Sequence, residues 1–121
     1  MARFVPKRGD AIWLDFSPQR GHEQAGRRPA LVVSATEYNR KVGLAVVCPI
    51  TNQGKGLQFE VIIPAGQRVS GVVLSDHVKS LDWQQRNAAF ICTLPSDVLE
   101  EALEKIAVLL GLDYGGSEGA A

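Results

Sequence analysis

Leu44-Ala45-Val46-Val47-Cys48-Pro49-Ile50-Thr51 decides the fold. From Leu44 to Ile50 the run is almost wholly apolar, the pattern of a central strand covered on both faces. Pro49, which has no N–H, should mark where its pairing stops. On either side lie further short strands bounded by turn residues. Upstream, Gly9-Asp10 opens Ala11-Ile12-Trp13-Leu14-Asp15-Phe16, and a second strand runs from Arg28 to about Ser34. Downstream, Leu57, Phe59, Val61 and Ile63 alternate with Gln58, Glu60 and Ile62, so this strand should bury one face. Val72 to Ser75 and Asn87 to Thr93 complete the set.

Helices are fewer. Thr36 to Lys41 is polar and has room for one helical turn. A longer helix is expected from Pro95-Ser96-Asp97 to Leu110, started by the proline and the Asp97…Glu100 pair and stopped by Gly111. Leu99, Leu103, Ile106 and Leu110 would form its apolar stripe, with Glu101 and Lys105 paired on the other side. Together these elements predict a mainly β protein with helices: a small, curved antiparallel sheet or partly open barrel with a C-terminal α-helix. One domain is expected over residues 1–111. Residues 112–121 are too poor in apolar side chains to order themselves and read as a disordered tail.

Composition narrows the function classes. With 45% apolar and 21% charged residues, 121 residues suffice for one buried core. No apolar run is long enough to span a membrane, and Met1 to Arg8 lacks a signal peptide's apolar segment, so no membrane partner and a cytoplasmic protein are expected. Cys48 and Cys92 sit in apolar runs and read as buried thiols rather than a disulfide. Neither they nor His22 and His77 show metal-ligand spacing, which predicts metal-free chemistry without a cofactor. The zero net charge is unevenly spread: residues 1–94 carry 12 Lys+Arg against 7 Asp+Glu, and residues 95–121 carry 1 against 6. A basic body of this kind can face a polyanion despite overall neutrality.

Gly21-His22-Glu23-Gln24-Ala25-Gly26-Arg27-Arg28-Pro29-Ala30 is the stretch most suggestive of chemistry. Pro29 fixes the entry into the strand, so Arg28 projects from an anchored position with a carboxylate five residues before it. The arrangement suits a site, and equally a solvated hairpin loop.

In order along the chain, Gly9 to Phe16, Gly21 to Pro29, Cys48-Pro49-Ile50-Thr51, Lys55-Gly56 and Ser75-Asp76-His77-Val78-Lys79-Ser80 resemble the motifs of the MazF/PemK toxin family, over roughly residues 3–111. That resemblance implies an SH3-like barrel of the MazF/PemK/CcdB type and a homodimer. It also implies ribosome-independent cleavage of single-stranded mRNA at short, ACA-like sites, which inhibits translation and growth. A cognate MazE-like antitoxin is implied as well, with operator DNA met only through that antitoxin.

By the same resemblance Arg28 and Thr51 carry catalysis with Glu23 beside them, while His22, Gln53, Lys55, Asp76, His77 and Lys79 contact RNA. His77 departs from the family, in which many relatives carry Gln. The chemistry is coherent: a guanidinium fork and a hydroxyl can both donate to a phosphoryl oxygen whose charge grows in the transition state. The proton carrier stays open among Arg28, Glu23, which is a better base by pKa, and His22, which titrates nearest neutrality. Glu23 could instead pair with Arg27 or Arg28, His22 could be a bystander, and Thr51 could simply cap a strand. Trp13 and Trp83 could stack on bases, although Trp13, within a strand, is expected in the core. Two other readings share the fold: a CcdB-like topoisomerase poison that cuts nothing, and a non-catalytic SH3-like binding module. Leu109-Leu110-Gly111-Leu112 lacks the aromatic helix tip that the first would use.

Overall fold

The apolar run becomes strand β3, and three other strands take their register from it. In a computed structural model, which describes residues 4–16 and 26–112, the elements are β1 (Asp10–Phe16), β2 (Gly26–Val32), α1 (Thr36–Val42), β3 (Leu44–Thr51), β4 (Glu60–Ile62), β5 (Val72–Leu74), β6 (Lys79–Asp82), β7 (Ala89–Thr93) and α2 (Ser96–Leu109). The sheet runs β4-β5-β3-β2-β1-β7, with β6 also on β3, and every pairing is antiparallel. The mainly β fold with a curved antiparallel sheet and a C-terminal helix is therefore the one expected. Residues 17–25, which hold His22 and Glu23, and the tail from Asp113 lie outside the described residues.

Side-chain alternation on β1, β2 and β3 feeds two separate cores. Ala11, Leu31, Cys48 and Ile50 join Val61, Val73 and Val98 in one. Ile12, Leu14, Phe16, Ala30, Val32, Ala45 and Val47 meet Trp83 in the other. β3 thus lacks a solvated face, which explains its unbroken apolar run.

Pairing does not stop at Pro49. Pro49 still opposes Ala30 of β2, while β3 exchanges β6, its neighbour over Leu44–Val47, for β5 at Ile50 and Thr51. The proline sits where the strand changes partners.

β2 begins two residues before the expected Arg28 and ends at Val32. β4 is much shorter than Leu57–Ile63. The Glu60 carboxylate accepts the backbone N–H groups of Lys55 (3.1 and 3.0 Å) and Gly56 (3.0 Å), and Glu60 N–H donates to Leu57 O. The turn closed by Glu60 N–H on Leu57 O takes Gln58 and Phe59 out of the extended strand. Ile62 is 75% exposed, and of the residues the alternation turned inward Val61 and Ile63 are buried, Phe59 is half-buried and Leu57 is exposed.

Lys79–Asp82 forms a strand that its short, polar sequence did not announce. Helix α2 matches its expected span, but no side chain caps its start. Its most buried residues are Val98, Ala102 and Ala107, with Leu99, Leu103 and Ile106 packed beside the first core; Leu110, assigned to the stripe, is 63% exposed past the end of the helix. Glu101 and Lys105 pair at 3.8 Å as expected.

Both cysteines are free, Cys48 buried and Cys92 half-buried. A buried polar hub ties α1 to the second core. Asn39 donates to Pro6 O (2.9 Å) and accepts from Ser34 Oγ, and its backbone carbonyl accepts Trp83 Nε1–H (3.1 Å). Among the described residues no helix is long and apolar enough to cross a membrane.

Candidate active site

The β2–β3 register sets the geometry. Leu31 opposes Cys48 and Ala30 opposes Pro49; continued two residues further, the same register places Arg28 across from Thr51. There the two strands stop pairing and a cleft of about 250 Å³ opens, which both residues line.

Thr51 is held closely. It opposes Val72 of β5, and its Oγ1 accepts the Gln53 N–H at 3.1 Å. A hydroxyl that accepts one hydrogen bond keeps its own proton to donate. Gly71, just before β5, lies against its carbonyl: a Cβ there would stand 2.1 Å from Thr51 O, and its φ of +110° is one that L side chains rarely adopt. Only glycine lets the β4–β5 connector close on Thr51.

The end of β2 beside Arg28 is braced from β1. Arg27 pairs with Asp15 at 3.0 Å, and Asn87 Nδ2 donates to the same carboxylate at 2.7 Å. The hydrogen bonds from Asn87 and Arg27 hold the Asp15 carboxyl below its usual range. One of the expected partners of Glu23, Arg27, is therefore engaged by Asp15.

Gln53 and Lys55 follow Thr51 on the connector gathered around Glu60, whose carboxyl is likewise lowered, chiefly by the Lys55 amide. Lys105 Nζ anchors that connector to α2 through Gln58 O at 2.7 Å. His22 lies outside the described residues, and none of Gln53, Lys55, Asp76, His77 and Lys79 lines the cleft. Asp76 and His77 form a short 3-10 turn after β5, and Lys79 opposes Val47 with its ammonium 5.7 Å from the Phe16 ring centroid. Asp76 stands close enough to Cys48 to add to the burial that pushes its thiol up to about 12.

Several cleft residues were absent from the sequence-derived site. Asn52, Arg68 and Ser70 line the cleft, with Ser70 Oγ donating to Asn52 Oδ1 at 2.9 Å. Arg68 and Ser70 come from a turn-rich connector without periodic signal. Trp13, expected in the core, is instead 40% exposed and lines the same cleft. Its cross-strand neighbours, Pro29 and Ala89, are too small to cover an indole. Trp83 takes the core place, 5% exposed.

Residues 7–110 match the family described as PemK-like, MazF-like toxin of type II toxin-antitoxin system. The chain is 46% identical over 111 residues to the endoribonuclease toxin MazF of Escherichia coli K12, covering 92% of this chain and 99% of that one. It also resembles the crystal structure of MazF from Deinococcus radiodurans, with a TM-score of 0.87 and 52% identity over 91% of this chain and 100% of that one. A MazE-MazF structure from the same organism matches with a TM-score of 0.82 and 46% identity, covering 92% and 100%. With the family matched across nearly the whole described sheet and both helices, the chain belongs to the PemK/MazF-like toxins of type II toxin–antitoxin systems.

Proposed function

We propose that the protein is an endoribonuclease toxin that cleaves single-stranded mRNA in the cytoplasm, independently of ribosomes and metal ions, at short ACA-like sites, and so inhibits translation and growth. The observation that carries this reading is the convergence of Arg28 and Thr51 on one cleft at the ends of β2 and β3. The active unit is the domain of residues 1–111, acting as a homodimer. A MazE-like antitoxin blocks it, and operator DNA is reached only through that antitoxin.

The substrate's 2′-hydroxyl attacks the adjacent phosphorus. The new O2′–P bond forms as the P–O5′ bond breaks, leaving a 2′,3′-cyclic phosphate, or the 3′-phosphate from its hydrolysis, and a 5′-hydroxyl. One proton leaves the 2′-oxygen and one reaches the 5′-oxygen. Arg28 and Thr51 donate to the non-bridging oxygens as their charge rises, where fixed donors are most effective. The proton acceptor belongs to the set Arg28, Glu23 and His22, and the pH dependence of kcat discriminates among them. Gln53 and Lys55, on the connector leaving Thr51, and His22, Asp76, His77 and Lys79 contact the flanking RNA.

The test is cleavage of a mixed-sequence single-stranded RNA in EDTA by wild type, Arg28→Ala and Thr51→Ala. Wild type should cut and leave cyclic ends, and each variant should lose about a hundredfold or more in kcat, as for removal of an oxyanion donor. No cutting by wild type would return the chain to a non-catalytic reading. Full activity in Arg28→Ala would remove the site assignment, and 3′-hydroxyl ends would remove the 2′-attack.

A further inference from the structure

We infer that Trp13 and Arg68 form a nucleotide subsite beside the scissile phosphate, the indole stacking on one base and the guanidinium holding a neighbouring phosphate. This rests on the reading of the cleft as an RNA site and adds residues that reading did not include.

The placement of Trp13 is the first support. Ile12 and Leu14 on either side are fully buried, whereas the indole stands open over Pro29 and Ala89 in the cleft that holds Arg28 and Thr51. Single exposed apolar residues are ordinary on protein surfaces. A large, flat aromatic beside two phosphate-donor candidates is less so, and it matches the stacking platforms that bind splayed single-strand bases.

Arg68 supplies the second element. It lines the same cleft from the connector that Gly71 closes against Thr51, and it is exposed. Among the described residues it makes no hydrogen bond or ion pair, so its donors are uncommitted. A planar guanidinium suits a phosphate better than an ammonium does. In the same cleft, the Asn52 carbonyl is already used by Ser70, which leaves the Asn52 amide N–H groups to donate.

A protein–RNA double-mutant cycle tests the subsite, using full-length protein and a single-stranded RNA of one mapped cleavage site, with single abasic nucleotides placed in turn around the cut. Trp13→Ala should raise KM about tenfold to a hundredfold, the range of one base–aromatic stack, with kcat within about threefold. Trp13→Phe should recover most of the loss. One abasic substrate should cost wild type a similar factor and cost Trp13→Ala almost nothing further. Arg68→Ala should raise KM and flatten the dependence of log KM on log salt by about 0.7, the value for one phosphate contact on a single strand, with Arg68→Lys intermediate.

The subsite is refuted if wild type cleaves but no abasic position loses its penalty in Trp13→Ala. It is also refuted if Trp13→Ala shifts the sedimentation coefficient at unchanged KM, which would make the indole a contact between copies of the chain. A wild type that does not cleave RNA removes the underlying function instead. Trp13→Phe, which keeps an aromatic volume, decides the question should Trp13→Ala unfold.

Discussion

Replacing Gly71 by alanine should disable the cleft without touching any of its lining side chains. The new Cβ would lie 2.1 Å from Thr51 O and 2.8 Å from Thr51 C, where contacts under 3.0 Å essentially never occur. Holding an L residue in that conformation costs about 1–3 kcal/mol. Relieving the clash moves the Thr51 carbonyl by roughly 1 Å, a displacement of the size that can cost about a hundredfold in rate. Gly66 provides the control, because its φ is +96° but a Cβ there meets nothing within 4 Å. Gly66→Ala should carry the conformational cost alone. We expect Gly71→Ala to lose about 2–4 kcal/mol, which lowers Tm by roughly 10–15 °C for a chain of this size, and Gly66→Ala to lose about half as much. Differential scanning calorimetry gives Tm, and cleavage of a fluorogenic RNA well below both transitions gives the rate per folded molecule. Should Gly71→Ala match Gly66→Ala in both Tm and kcat, the close approach does not set the position of Thr51.

Other consequences can be checked separately. The lowered Glu60 carboxyl organises residues 55–60 fully above the ordinary glutamate value of 4.5, and this contribution is lost as pH falls through the depressed folded value. Amide hydrogen exchange at Lys55 and Gly56, referenced to Glu60→Gln, should therefore lose its protection at acid pH, and a pH-independent difference would contradict the assignment. Asn39→Ala removes bonds to Pro6 O and Ser34 Oγ from a fully buried position and should cost about 2–4 kcal/mol by urea unfolding, while kcat of the folded fraction stays unchanged. With its thiol pushed up to about 12 and buried, Cys48 should resist iodoacetamide at pH 8 while half-buried Cys92 reacts first; mass spectrometry after brief exposure would show the reverse order if the packing were wrong.

Sequence patterning carried much of this far. The unbroken apolar run at 44–50 was readable as a doubly covered strand because only burial on both faces removes every polar position. The approach of Arg28 to Thr51 was partly readable too, since the expected strands began at Arg28 and ended just before Thr51 and are close in sequence. Trp13 was not, because alternation groups Ala11, Trp13 and Asp15 on one face but cannot say where along the strand the cover ends. Leu110 failed for the same reason at the end of a helix. Arg68 and Ser70 were hidden in a connector whose path depends on a single close backbone approach at Gly71. Lys79 entered the site through the family resemblance, and its contact with the Phe16 ring, 63 residues earlier in the chain, had no sequence signal.

The double burial of β3 bears on how recognition can be altered. From Cys48 to Thr51 every residue is buried, so the strand offers no neutral position through which sequence can drift. Residues 52–58 and 64–68 are, by contrast, almost entirely exposed and reach the cleft through Asn52 and Arg68. Variation that changes which RNA is read is therefore free to accumulate on the rim while Thr51 stays fixed beneath it. A library built to retarget the protein should randomise those two connectors, keep Glu60 and Gly71, and leave 44–51 untouched.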